Sequence, residues 1–199
     1  MRLFLQCKRD SVDYFSELFR ESLDQIPQWL NDRIAASQND VQRNRYLEAR
    51  QSIEPRRSQL INRYQRALQQ AFDDFATGYD PEPEAETDPS HLALVDKAQY
   101  EDDVAVRTMA TRAGAVNAEE LWKLNRRFAV IRGGKKCPDE MNPCGPQQLC
   151  EALRETYRRL DIDTTVKLLL YKLYDRQVLS ECAPLYKRLN QQLASEGVL

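Results

Sequence analysis

The stretch LINRYQRALQQAFDDF, residues 60–75, carries its apolar side chains at the spacing of one α-helical face. They recur every three or four positions, and the positions between them are mostly polar or charged. This repeat is typical of an amphipathic helix that packs against a core. The apolar stripe consists of Leu60, Ile61, Tyr64, Leu68, Phe72 and Phe75. Gly78 follows it and predicts the helix end, because glycine readily adopts the left-handed conformation found there.

The same spacing continues along most of the chain, whereas the period-two alternation of β-strands is nearly absent. Pro55 and Pro146 fit the first turns of two helices, and Asp163 is placed to cap a third. Pro27 is expected to interrupt the N-terminal helix with a kink or a restart. We therefore predict an all-α protein, a bundle of about seven or eight helices with no sheet.

Two further helix starts are predicted from side chains that cap helices. Asn117 and Glu120 have the spacing of a capping box and stand immediately before an apolar stretch. Ser180 is able to cap the last helix. These residues place two helix boundaries near positions 117 and 180.

Residues 79–90, YDPEPEAETDPS, form the one clear change in composition. Their prolines and acidic side chains cannot build a core or a regular element. We expect an acidic, proline-rich linker between an N-terminal helical part, residues 1–78, and a C-terminal helical part, residues 91–199, which packs with the first as one domain. The simple interpretation of the linker is a solvated loop. The alternative is an acidic segment that attracts a basic partner.

The overall composition argues against several classes of protein. A net charge of -2 gives no general electrostatic reason for binding nucleic acid. No stretch approaches the roughly 18 apolar residues of a membrane-spanning helix. Five cysteines, an odd number without a secretory signal, indicate reduced thiols and predict a cytoplasmic location.

Three of the cysteines, Cys137, Cys144 and Cys150, fall within fourteen residues. Structural zinc sites usually pair cysteines two to four residues apart, whereas six and five residues separate these. The single histidine, His91, has no partner at ligand spacing. Catalysis by a cysteine needs a histidine base nearby. We therefore predict no metal site here, but a loop that joins two helices.

A basic cluster surrounds one predicted helix end and contains Arg126, Arg127, Arg132, Lys135 and Lys136. Cations near a helix C-terminus interact favourably with the helix dipole, which is the structural interpretation. Contact with a phosphate or nucleotide is the functional alternative. The sequence has no Walker pattern and no G-x-G-x-x-G.

The stretch LLLYKLYDRQVL, residues 168–179, presents three charged side chains away from its apolar stripe. They are Lys172, Asp175 and Arg176. Either Asp175 and Arg176 are buried in a polar contact with a neighbouring helix, or they are exposed for a partner. The predicted buried stripe consists of Val166, Leu169, Leu170 and Leu173.

The sequence offers no convergent set of catalytic side chains. The pairs Asp102–Asp103 and Glu119–Glu120 are explained by predicted helix starts, where carboxylates are favourable. Adjacent residues on a helix do not face each other. We predict no catalytic residue and no cofactor. Four tyrosines are expected to anchor the core or an interface: Tyr157, Tyr171, Tyr174 and Tyr186.

Four stretches together resemble one known family. They are LALVDKAQYEDDVAVRTMATRAGAVNAEELWKLNRRFAVI (92–131), NPCGPQQLCEALR (142–154), LLLYKLYDRQVL (168–179) and LYKRLNQQLASEGVL (185–199). In order and spacing the chain is similar to the N-terminal region of the proteobacterial proteins catalogued as domain-of-unknown-function family 1631. The resemblance implies the N-terminal part of a longer protein and brings no settled activity. We expect the chain to depart from the family pattern at Cys144 and at Cys137, which argues against a family-wide metal role for these thiols.

We expect a helical module without enzymatic activity that binds another protein, or the remainder of a longer chain, or has a regulatory role. The alternative is a regulatory domain that binds a nucleotide or nucleic acid through the basic cluster of residues 126–136. The two are distinguished by whether those cations form one uncovered patch or are paired with carboxylates. No membrane association is expected.

Overall fold

The computed structural model describes residues 2–78 and 97–198. Eight α-helices lie in these two ranges: α1 (Arg2–Ala35), α2 (Asp40–Ile53), α3 (Arg57–Thr77), α4 (Lys97–Val116), α5 (Ala118–Ile131), α6 (Pro146–Tyr157), α7 (Thr164–Gln177) and α8 (Cys182–Ser195). The described residues contain no β-strand, so the predicted all-α class is confirmed. Within the same ranges, no helix is both long and apolar enough to cross a membrane.

Two pairs of helices follow each other with almost no break. The 3-10 turn Glu54–Arg56 connects α2 directly to α3, and Asn117 alone separates α4 from α5. With each pair taken as one segment, the described part of the chain has six helices, so the predicted seven or eight is wrong. At these points the chain leaves the α-helical conformation only briefly, through the 3-10 turn in the first pair and through Asn117 in the second.

Of the two outcomes expected at Pro27, a kink or a restart, the restart does not occur. Helix α1 extends through Pro27, and Ile26 and Leu30 on either side of it are fully buried. Proline removes one helical hydrogen bond. Burying each flanking apolar side chain contributes about 1.5–3 kcal/mol, which is enough to hold the helix in one piece.

The caps that depend on local sequence alone are confirmed. Gly78 ends α3 in the left-handed conformation, with φ of 75°. Pro146 begins α6, and the Asp163 side chain accepts a hydrogen bond of 2.9 Å from the Thr165 backbone N–H at the start of α7.

Two predicted caps are wrong because the side chains turn back into the preceding helix. Asn117 donates from Nδ2 to the carbonyl oxygen of Ala113 at 2.8 Å, so it closes α4 and does not cap α5. Ser180 donates from Oγ to the carbonyl oxygen of Arg176 at 2.6 Å. In both cases the side chain donates to a carbonyl in the last turn of the preceding helix.

Helix α1 and the α2–α3 segment form an antiparallel pair. Polar contacts across the pair join Lys8 to Asp73, Asp24 to Arg57 and Asn31 to Arg50. As the residue number rises along α1, it falls by the same amount along the partner segment, so the pair stays in register from end to end.

One core is built from helices of both described ranges. Helix α1 contacts α2 and α3 on one side and α7 and α8 on the other, while α6 lies between α3 and α4, and α5 packs on α8. The predicted linker, residues 79–90, and His91 lie outside the described residues. The division of the chain into domains stays a prediction.

A chain of buried hydroxyl groups crosses the centre of this core. The hydroxyls of Tyr64 on α3 and Tyr174 on α7 are 2.6 Å apart. Tyr174 donates its only proton to the carbonyl oxygen of Leu149 on α6 at 3.1 Å, and Tyr64 therefore donates to Tyr174. Each buried hydroxyl is satisfied, which avoids a penalty of about 1–3 kcal/mol.

The loop before α6 is buried instead of lying on the surface. Asn142 and Cys144 are fully buried, and Asn142 donates from Nδ2 to the Asn125 side chain on α5 at 2.6 Å. Tyr186 of α8 donates to the carbonyl oxygen of Cys144 at 2.8 Å. The loop thus joins two helices, as predicted, and also holds α5 and α8 together.

Gly145 in this loop provides the first testable prediction. A Cβ atom there would lie 3.0 Å from the carbonyl oxygen of Asn142 and 3.2 Å from that of Asp139. We expect Gly145→Ala to lower the free energy of unfolding by about 1–3 kcal/mol through overpacking. The measurement is a urea melt.

Gly114→Ala is the matched control, since Gly114 lies within α4 with nothing within 4 Å of its added Cβ. It should raise the free energy of unfolding by roughly 0.5–1 kcal/mol. Equal melts for the two variants would show that the loop is not tightly packed.

Candidate functional site

A buried carboxylate joins α4 to α7. Asp102 on α4 is 8% exposed, and its Oδ1 accepts hydrogen bonds from the Tyr171 hydroxyl at 2.8 Å and the Lys167 ammonium at 2.6 Å, both on α7. These donors offset the cost of burying the charge. Further along, Arg112 of α4 pairs with Asp175 of α7. The two helices therefore lie side by side and run in the same direction.

An apolar groove of about 560 Å³ lies between the outer faces of α4 and α7. Its walls include Val104, Ala105, Met109, Leu168 and Tyr171. Tyr100, at one end of the groove, is 62% exposed, and Val104 is 44% exposed. A contiguous apolar surface with charged side chains at its edges is typical of an interaction site.

The three side chains predicted on α7 lie at the edge of this groove or one turn beyond it. Asp175 has a side chain that is 14% exposed and pairs with Arg112 of the neighbouring helix. Lys172 lines the groove and is exposed, and Arg176 follows one turn later and is also exposed. Neither cation pairs with a carboxylate of the described residues. Of the two alternatives predicted for these charges, contact with a neighbouring helix applies to Asp175, and exposure applies to Arg176.

A second cleft of about 840 Å³ lies on another face of α4, against α6 and the beginning of α7. It is charged. Arg154 of α6 donates to Asp103 at 2.7 Å and to Glu151 at 2.6 Å, and the Asp102–Lys167 pair lines the same cleft. The inner carboxylates thus have cationic partners, and the cleft is lined by two separate sets of ion pairs.

Burial changes the proton affinity of two groups that take part in these contacts. It raises the pKa of Glu151 above the ordinary value of 4.5, and Arg154 reverses part of that effect. Burial, followed by the charge of Asp102, raises the pKa of Tyr171. The Tyr171 hydroxyl therefore stays protonated and acts only as a donor to Asp102.

Two members of the predicted basic cluster are engaged within the fold. Arg127 donates from Nη1 to the Asn190 side chain at 2.7 Å and from Nε to the carbonyl oxygen of Val198 at 3.1 Å. Arg132 lies over the ring of Phe75 with its guanidinium carbon 4.6 Å from the ring centre. Both cations help to join α5 to other helices.

The other three members of the cluster point outward. Arg126 stacks on Trp122, which is 59% exposed, with its guanidinium carbon 4.9 Å from the ring centre. Lys135 and Lys136 are exposed in the loop after α5. The cluster is therefore divided: it is not one uncovered patch of five cations, and its members are not paired with carboxylates among the described residues either.

All five cysteines are buried and free of disulfides. Burial raises the pKa of Cys7 to about 11 and that of Cys137 and Cys182 to about 12, and it raises the pKa of Cys144 and Cys150 as well. Protonated, buried thiols are poor nucleophiles and poor metal ligands. Over residues 2–78 and 97–198, no three His, Cys, Asp or Glu side chains are grouped to hold a metal ion.

Sequence reasoning did not find the Asp102 network. It assigned Asp102 and Asp103 to a helix start and treated Tyr171 only as an anchor of the core or of an interface. One signal was available, because Lys167 and Tyr171 are four residues apart and share a face of α7. Their common acceptor is 69 positions from Tyr171 in the chain, and no local pattern indicates it.

Comparison with known proteins gives one match. The family model described as "Protein of unknown function (DUF1631) N-terminal domain" matches residues 1–197, which include all eight helices. No curated protein and no solved structure matches the chain.

Glu151 provides a prediction about pH. Its pKa is higher in the folded chain than in the unfolded one, so the folded state holds this proton more tightly and loses stability as pH rises above the unfolded value. Glu151→Gln removes the ionisation. We expect the variant to gain melting temperature over the wild type, and to gain more at pH 7 than at pH 4.5.

The control is Glu155→Gln, an exposed carboxylate on the same helix that pairs with Arg158. Its effect on the melting temperature should be small and similar at both pH values. A gain for Glu151→Gln that is equal at the two pH values would contradict the assigned effect of burial.

The thiols provide a second prediction. At pH 8, a thiol reagent such as Ellman's reagent should react slowly with the native chain and rapidly with all five cysteines in denaturant, because burial keeps the native thiols protonated and covered. Rapid reaction of one native thiol would identify an accessible, reactive cysteine and would contradict this account.

Proposed function

The chain belongs to the DUF1631 N-terminal domain family, and we propose that it acts as a helical protein-interaction module without enzymatic activity. Its partner is another protein or the remainder of a longer chain, and its contact surface is the α4–α7 groove. A regulatory role would act through the same surface.

One observation carries this proposal: apolar side chains remain exposed in a groove with firmly held walls. Tyr100 and Val104 face the opening, while the contacts of Asp102 with Tyr171 and Lys167 hold the two helices together beneath it. Covering apolar area stabilises a complex by about 25 cal/mol per Å² before the costs of association.

The chemistry of the described side chains supports the absence of enzymatic activity. The thiols are buried and protonated, and the inner carboxylates of the charged cleft bind Arg154 or Lys167. A general base or nucleophile needs a free, accessible reactive atom. We also propose a cytoplasmic location, which the five free cysteines support.

A nucleotide- or nucleic-acid-binding regulatory domain is the second candidate. The observation that favours it is the exposed pair of Trp122 and Arg126, close in sequence to the outward-facing Lys135 and Lys136. An aromatic ring beside cations is able to stack on a base and to attract phosphate. The uses of Arg127 and Arg132 within the fold weaken this candidate, because they leave only three of the five cations available.

The test compares two substitutions on the same helix. Val104→Glu places a charge in the groove, and Val116→Glu places the same charge at a position that is 79% exposed and outside the groove. Both side chains are exposed, so both variants should fold. We expect Val104→Glu to reduce at least tenfold the proteins retained from a native lysate, whereas Val116→Glu should retain them as the wild type does.

Quantitative mass spectrometry of the retained proteins, with a thermal melt of each variant, measures this. Equal retention by both variants would reject the groove as the contact surface. Retention of nucleic acid that is lost in Lys135→Glu/Lys136→Glu, with no protein dependent on Val104, would favour the second candidate.

A further inference from the structure

We infer, on the basis of the proposed function, that the α4–α7 groove binds one acidic amphipathic helix of a partner protein. The groove-lining residues of α4 recur at one face, at positions 100–101, 104–105, 108–109 and 112. At 1.5 Å per residue this face is about 18 Å long, or a little over three helical turns. Helix α7 contributes a second wall from Leu168 to Asp175. A groove between two such parallel walls has the length and direction to receive one face of a third helix.

The backbone of the walls indicates that the occupant is helical. Both α4 and α7 satisfy their own N–H and C=O groups, and neither presents a free strand edge. A bound segment whose backbone enters this apolar groove must therefore satisfy its hydrogen bonds internally. An α-helix does so, and an extended peptide does not. The apolar face of such a helix would contact Val104, Met109 and Leu168.

The charges near the groove indicate the sign of the charge that the occupant carries. On the α7 side, Lys172 lines the groove and Arg176 lies one turn beyond it; both are exposed and have no carboxylate partner among the described residues. Arg112, 61% exposed, balances Asp175, and on the α4 side Glu101 lies 3.7 Å from Lys97. With partners counted over the described part of the chain, two cations near the groove therefore remain uncompensated, both on α7. The occupant helix carries carboxylates along the side that faces α7.

A display library of helical peptides tests this inference. Its members keep apolar residues at i, i+3, i+4 and i+7, and the flanking positions are encoded equally as Glu, Lys or Gln. Selection uses the wild-type chain, with Val104→Glu for counter-selection. We expect the selected peptides to favour Glu over Lys at the flanking positions on one side, and to gain helical circular dichroism when bound.

The selected peptides are then measured by fluorescence anisotropy against two variants with equal changes in charge. Lys172→Glu/Arg176→Glu should weaken binding at least fivefold. Lys135→Glu/Lys136→Glu, away from the groove, should change it less than twofold. Selection of Lys or Gln, equal binding by the two variants, an extended bound peptide or the absence of any binder would each overturn the inference.

The failures of the two proposals are distinguishable. If lysate proteins are lost with Val104→Glu but the selected peptides are basic or neutral, the interaction module stands and the acidic helix does not. If sedimentation shows that the chain associates with itself and that Val104→Glu abolishes this association, a second copy of the chain occupies the groove and the inference of a partner helix is overturned.

Discussion

The hydrogen-bonded chain from Tyr64 through Tyr174 to the carbonyl of Leu149 fixes helix α7 in the centre of the protein. Both hydroxyls are buried, and only one direction of donation satisfies them, so the rotation of α7 about its axis is determined. Tyr171 is three residues earlier on α7 and therefore points toward α4, where it donates to Asp102. The position of α4, and with it the shape of the groove, follows from this inner arrangement.

The sequence predicts what depends on neighbours along the chain. Helical periodicity, the left-handed end at Gly78 and the cap at Asp163 are local properties, and all three appear in the structure. The side chains of Asn117 and Ser180 can either cap the following helix or bond a carbonyl of the preceding one, and both bond the carbonyl. The tendency of Pro27 to end a helix is likewise outweighed by the burial of its flanking residues, and α1 continues through it. At Pro27, tertiary contacts outweigh a local cost of about 3 kcal/mol.

The candidate site was predicted only in part for a related reason. Lys172 and Asp175 were identified, because charged residues opposite an apolar stripe are visible in one helix. Their neighbour across the groove, Arg112, belongs to another helix and has no local signal. For Arg126 and Arg127 the error is the opposite one, because the sequence analysis placed them in one cluster. Adjacent residues on a helix point about 100° apart. One stacks outward on Trp122, and the other reaches inward to α8.

The contrast between the two cavities beside α4 is the reason why the smaller one is proposed as the binding surface. In the charged cleft, Arg154 and Lys167 already neutralise carboxylates. A ligand that displaced either cation would leave a partly buried charge without its partner, a loss of about 3–5 kcal/mol for a fully buried pair. In the groove, Tyr100 and Val104 face water, so an apolar partner covers them without breaking a contact of the fold. Binding in the charged cleft breaks ion pairs of the fold, whereas binding in the groove does not, and this difference favours binding between α4 and α7.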